Sequence, residues 1–134
     1  MYQGGCLCGA IRFEITGEIH HIVYCHCSQC RKAQGSAFAT NGIVATDDIR
    51  LLSGEDRLTG YESSPGQIKY FCRHCGSPIM SKTRENPDQV RIRLGVVESD
   101  IAERPEAHIF ASSKANWETI GNGLPQYDTY EPNR

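Results

Sequence analysis

Seven cysteines fall in three tight groups: Cys6 and Cys8 as C-x-C, Cys25, Cys27 and Cys30 as C-x-C-x-x-C, and Cys72 and Cys75 as C-x-x-C. Thiolates this close in sequence can wrap one tetrahedral ion without straining the backbone, so the spacing points to metal and first to zinc. If no group is split and no ion takes more than four thiolates, the triplet shares a metal with neither pair, and the two pairs combine. That leaves a closed four-thiolate site, Cys6, Cys8, Cys72 and Cys75, which would hold structure together. It also leaves an open three-thiolate site, Cys25, Cys27 and Cys30, with a fourth position for water or a substrate atom. Catalysis, if any, belongs at the triplet. In the alternative metal reading all seven thiolates are structural and His26, His74 or another side chain closes the second site. A disulfide framework is disfavoured because seven is odd and the N-terminal MYQGGCLCGAIRF has neither a basic nor an apolar leader region.

Composition narrows the partners. A chain of 134 residues suits one domain, 1–134, with a core of its own, although 39% hydrophobic residues and thirteen glycines do not make that core rich. The formal charge is −2. Seven negative thiolates against four positive charges on two zinc ions would bring it to about −5. No run of cations exceeds Arg31-Lys32, so nucleic acid is not an expected partner. No stretch has the length of an apolar membrane span, and reduced thiols imply a soluble, cytoplasmic protein.

Periodicity along the chain is mostly two, which predicts a mainly β fold. Residues 10–15 set Ile11, Phe13 and Ile15 to one side, and residues 67–71 set Ile68 and Tyr70 against Lys69. Residues 89–94 set Val90, Ile92 and Leu94 against Arg91 and Arg93. Further strands are expected at 19–24, 38–44 and 49–52. Turn signals stand at Gly17, 46–48, 53–54, 64–66 and 85–88. Only 29–34 and 111–117 could form short helical turns, and the tail after Tyr127 is expected to fray. This places Cys6 and Cys8 before the first strand, the triplet after the second, and Cys72 and Cys75 at the end of the strand over 68–71. Cys72-Arg73-His74-Cys75-Gly76 reads as a zinc knuckle, where glycine lets backbone N–H groups approach sulfur and Arg73 could offset thiolate charge. Alternation does not say which strand edges are free, so it leaves oligomeric state open.

The run Gly5-Cys6-Leu7-Cys8-Gly9 with Ile11-Arg12-Phe13, then Cys25-His26-Cys27-Ser28-Gln29-Cys30-Arg31-Lys32, Gly35-Ser36-Ala37-Phe38, Phe71-Cys72-Arg73-His74-Cys75-Gly76, His108-Ile109-Phe110, Ser113-Lys114-Ala115-Asn116-Trp117 and Gly123-Leu124-Pro125, resembles the glutathione-dependent formaldehyde-activating family, also called the centromere-protein-V family. The resemblance spans Gly5 to about Tyr127. It implies a β-tent fold of small antiparallel sheets with two zinc sites, structural at Cys6, Cys8, Cys72 and Cys75 and catalytic at Cys25, Cys27 and Cys30. The implied activity joins formaldehyde to the thiol of glutathione or cleaves S-hydroxymethylglutathione, as a carbon–sulfur lyase. Arg31, Lys32 and Lys114 are then candidates for the glutathione carboxylates. Ser36 and His26 are candidate donors near the zinc.

His108 and Trp117 belong to the motif but are read as core packing, and His20 and His21 as lying along a strand face. Family members often carry proline at Asn116 and aspartate at Asn122, a departure that bears on substrate rather than on fold. The rival reading is a non-catalytic zinc module that binds a small thiol or a protein partner. Zinc storage or redox sensing at the triplet is a third.

Overall fold

The computed structural model describes residues 1–132, arranged as two sheets built from ten strands. The smaller sheet is antiparallel and contains β1 (Tyr2–Gly5), β2 (Arg12–Ile15) and β5 (Ile49–Ser53) in the order β1-β2-β5. The larger contains β3 (His20–Cys25), β4 (Ala39–Ala45), β6 (Leu58–Ser64), β7 (Gln67–Cys72), β8 (Pro78–Thr83), β9 (Gln89–Arg93) and β10 (Ala107–Ile109). Its order is β10-β3-β4-β9-β8-β7-β6, with β10 parallel to β3 and every other pair antiparallel. One α-helix, α1 (Ser28–Gln34), follows β3. No helix among the described residues is long and apolar enough to cross a membrane.

The mainly β architecture matches the alternation, and six of the strands lie where periodicity of two places them. The other four carry little of that signal: β1 is half glycine, β8 begins with proline, β10 has three residues, and β6 has an exposed middle. Because β1 exists, Cys6 and Cys8 do not precede the first strand, as the sequence suggests, but join the first to the second. In the larger sheet β6 to β9 continue the sheet begun by β3 and β4.

Register decides what each face of the large sheet carries, since cross-strand partners share a face. Gly42 pairs with Ile92, Val44 with Val90 and Met80 with Ile92. That row, with Ile22, packs on Ile11, Phe13 and Ile15 from the small sheet to form the main core. Its closeness is visible at Gly42, where a Cβ atom would stand 2.2 Å from Ile19 Cγ2. On the opposite face Val23 pairs with Asn41, Asn41 with Arg93, Arg91 with Ser81, and Ser81 with Lys69. A smaller apolar cluster of Val23, Cys25, Cys30, Ala39, Ala107 and Ile109 fills one end of this face and seats α1.

Fraying was expected after Tyr127, yet the chain from 126 to 130 is tied back. His108 bridges to Gln126, Phe110 N–H donates to Thr129 O (3.1 Å), Ala111 N–H donates to Tyr127 O (2.9 Å), and the Phe110 and Tyr130 rings meet edge to face. Positions 133 and 134 lie outside the described residues. Phe13 is fully buried where the two sheets meet. Phe13→Ala should therefore lower unfolding free energy by about 3–5 kcal/mol, read from the urea midpoint; a loss under about 1 kcal/mol would show that the sheets are held together without this contact.

Candidate metal centres

The first cluster forms between a connection of the small sheet and a connection of the large one. Cys6 follows β1 and Cys8 sits in the turn to β2, while Cys72 ends β7 and Cys75 sits in the turn to β8. The two turns are alike. Gly9 N–H donates to Cys6 O (3.1 Å) and Gly76 N–H to Cys72 O (2.8 Å). Gly9 (φ 81°) and Gly76 (φ 82°) both occupy the left-handed region that a side chain would strain. Ser77 stitches the turns together, its hydroxyl accepting from Leu7 N–H (2.9 Å) and standing 3.4 Å from Cys75 Sγ.

The four sulfurs lie within 4.8 Å of one another, with Cys6 and Cys8 3.5 Å apart and Cys8 and Cys72 3.8 Å apart. A tetrahedron with metal–sulfur bonds of about 2.3 Å has edges of about 3.8 Å. The donor set therefore fits a tetrahedral ion, and all seven cysteines of the chain are free of disulfides.

The second cluster lies at the end of β3 and the start of α1. Cys25 is the last residue of β3, Cys27 is the helix N-cap with its sulfur accepting from Cys30 N–H (3.3 Å), and Cys30 is buried in the first turn. Their three sulfurs also lie within 4.8 Å of one another. Hydrogen bonds from Cys25 and then Cys30 bring Cys27 down to about 2, whereas bonding to Cys27 and Cys30, with burial, pushes Cys25 far up. Close contact and burial thus oppose ionising all three thiols together unless a metal offsets their charge.

Neither histidine joins the ligands. His74 is exposed, and His26, fully buried, turns to His108, with Nε2 2.8 Å from His108 Nδ1. His108 Nε2 is 3.0 Å from Asn122 Oδ1, which also accepts from Leu124 N–H (3.2 Å). Because Asn122 Oδ1 is an acceptor, His108 donates from Nε2 and accepts at Nδ1, and His26 donates from Nε2. Burial, then the neighbouring His108, lowers the His26 pKa from 6.5. Among the described residues the triplet accordingly has three protein ligands rather than four. The packing role expected of His108 holds, but Trp117 is 69% exposed and is not core. His21 leaves the regular strand, with φ 48° at an irregularity in β3.

A half-open cavity of about 360 Å³ adjoins the triplet. It is lined by Cys25, Cys27 and Cys30 on one side, and by Asn41, Ser81, Lys69, Arg91 and Arg93 from the polar face of the large sheet. No acidic side chain among the described residues lines it. Arg93 is buried: burial lowers its pKa, and the nearby Cys30 and then Cys25 work against that shift. Arg91 donates to Thr83 Oγ1 (3.0 Å). The cations singled out from sequence lie elsewhere. Arg31 is half-buried with Nε 3.4 Å from His26 O, Lys32 and Ser36 are exposed, and exposed Lys114 donates to Glu118 O (3.0 Å). None of the four lines the cavity. Lys69, Arg91 and Arg93 were missed because alternation alone reads them as a solvated strand face.

Residues 1–113 match the protein family described as GFA, glutathione-dependent formaldehyde-activating enzyme. Proteins of Talaromyces marneffei and Fusarium vanettenii, both provisionally described as glutathione-dependent formaldehyde-activating enzymes, are each 26% identical over 156 aligned positions. Each alignment covers 98% of this chain and 81% of the relative. A crystal structure of a Rhodobacter sphaeroides protein superposes with a TM-score of 0.62 at 28% identity, covering 77% of this chain and 97% of that one.

The two clusters should separate by mutation. Cys72→Ser removes a thiolate that links the sheets and should unfold or aggregate the protein, whereas Cys27→Ser should leave it folded with one metal fewer. Thermal melting and metal content measured on both variants check this; equal destabilisation would contradict the division.

Proposed function

Because the chain belongs to the glutathione-dependent formaldehyde-activating family, we propose that it is a cytoplasmic zinc-dependent carbon–sulfur lyase acting on the adduct of a small thiol with an aldehyde, S-hydroxymethylglutathione being one such adduct. The observation that carries this reading is the three-cysteine cluster opening onto a cavity that, among the described residues, is lined by cations and no acidic side chain. A closed structural site would have four protein ligands and no need of a cavity. Zinc held by Cys25, Cys27 and Cys30 would supply an open position that favours thiolate over thiol.

The protein's own groups prepare that position. Three thiolates around one divalent ion carry a formal −1, and a fourth makes −2, which weakens any Lewis-acid contribution. Lys69, Arg91 and Arg93 bring positive charge to the same cavity and offset it. Cavity walls with both Lys and Arg also suit a thiol that carries carboxylates, as glutathione does. We assign carboxylate contacts to Lys69 and Arg91 ahead of Arg31, Lys32 and Lys114, with Ser36 an outer donor. Lys69 comes from β7 and Arg91 from β9, with β8 between them, so a ligand spanning both is held across the sheet.

Two measurements separate lyase from binding module. Lys69→Glu should weaken glutathione binding by about tenfold or more, while Lys32→Glu should change it by less than about twofold; the reverse order, by calorimetry, would return the carboxylate site to the helix. S-methylated glutathione, which cannot become a thiolate, should bind much more weakly than glutathione. Acceleration of hemithioacetal formation or cleavage with formaldehyde supports the lyase. Thiol binding with no acceleration across several thiols leaves the non-catalytic module.

A further inference from the structure

Arg93 stands apart from the other two cations. It is 4% exposed, and its Nη1 donates to Asn41 Oδ1 (2.7 Å) and lies 3.4 Å from Ser81 Oγ. Those contacts engage both hydrogens of Nη1. The Nε–H is buried and has no acceptor among the described residues, neither a cysteine sulfur nor a carboxylate. An always-charged guanidinium buried with a donor unmet is expensive, and such a donor calls for a partner: a water, an ion or a ligand atom.

Position in the sheet says where that something lies. Arg93 pairs with Asn41 and Asn41 with Val23, two residues before Cys25 on β3. Only β4 separates β9 from β3, whereas Lys69 on β7 is two strands further out. At about 4.8 Å per strand, Arg93 suits an atom bonded close to the reacting sulfur, and Lys69 a more distant group of the same ligand.

We propose that Arg93 is the oxyanion-binding residue of this cavity, donating to the negative oxygen on the carbon that gains or loses the C–S bond. The proposal rests on the reading of the cavity as a thiol-adduct site. In cleavage the S–CH₂–OH hydroxyl gives its proton to solvent, the oxygen electrons form C=O, and the C–S pair leaves on sulfur. In addition the sulfur pair attacks the carbonyl carbon, the π pair moves to oxygen, and that oxygen takes a proton from solvent. In both directions the full charge on oxygen is transient. A fixed donor held by Asn41 and Ser81 therefore stabilises the oxyanion more than the neutral reactants, without reorganising.

The test has a thiol-free arm and a thiol arm. In the first, formate is titrated into zinc-loaded wild-type protein while the Arg93 Nε–H resonance, identified by its loss in Arg93→Lys, is followed by NMR. A saturable shift is expected. In the second, mercaptoacetate and 2-mercaptoethanol compete for the cobalt-substituted triplet, mercaptoacetate placing an anionic oxygen close to where the adduct oxygen lies. Wild type should prefer mercaptoacetate by about tenfold or more, Arg93→Lys should keep part of that preference, and Arg93→Met should reduce it to under about twofold.

An Nε–H resonance that formate leaves unmoved overturns the proposal whatever the thiols do, and so does a preference that survives intact in Arg93→Met. If formate shifts the resonance but neither thiol perturbs the metal, the oxyanion contact of Arg93 stands and the thiol-adduct reading falls. Should Arg93→Met fail to fold, the formate titration decides alone.

Discussion

Four sulfurs held within 4.8 Å of one another, two from the turn after β1 and two from the turn after β7, are the constraint on which the arrangement of the two sheets depends. Thiolates at that distance repel one another unless a cation stands between them, so the cluster is stable either as protonated thiols or around a metal. The backbone is shaped for the second state. Glycines in the left-handed conformation close both turns, and Ser77 bonds across them. A metal there would bind the folded chain and not the unfolded one, and would add its binding energy to that of the apolar core between the sheets.

The two faces of the large sheet differ in character. The core face is spent on Val44, Val90, Ile92 and Met80 against Phe13, and the other face gathers Asn41, Ser81, Lys69, Arg91 and Arg93 beside the three remaining cysteines. Charge makes sense of the pairing. A three-thiolate centre needs positive potential, and a buried guanidinium with no carboxylate partner among the described residues needs negative potential. Each answers the other across a cavity large enough for a small molecule, and the family to which the chain belongs is described by a thiol cofactor and an aldehyde.

Short-range features of this design were legible in the sequence. Cysteine spacing within each group, counted against the ligand number of a tetrahedral ion, divides four from three, and the sulfurs assemble in those two groups. Alternation finds β2, β3, β4, β5, β7 and β9. What was hidden depends on register between distant strands. Arg91 and Arg93 read as the wet side of a strand, and only the pairings of Asn41 with Arg93 and Ser81 with Arg91 show that this side faces the cysteines. Arg31 and Lys32 neighbour Cys30 in sequence, which makes them candidates on spacing alone. On α1, however, residues one and two positions on point to other sides of the helix, and neither lines the cavity. Trp117 looked like core because large aromatic residues usually are, yet it lies in a loop segment with its ring exposed.

X-ray absorption at the zinc edge of fully loaded protein tests the central claim, that one centre is closed by four cysteines and the other left open by three, most directly. The account predicts two ions per chain with an average sulfur number midway between three and four, the remainder a light ligand, and an average of four once Cys27 is replaced by serine and its ion is lost. An average of four sulfurs per ion in the wild-type protein, or a light ligand that persists after the triplet metal has gone, would contradict it.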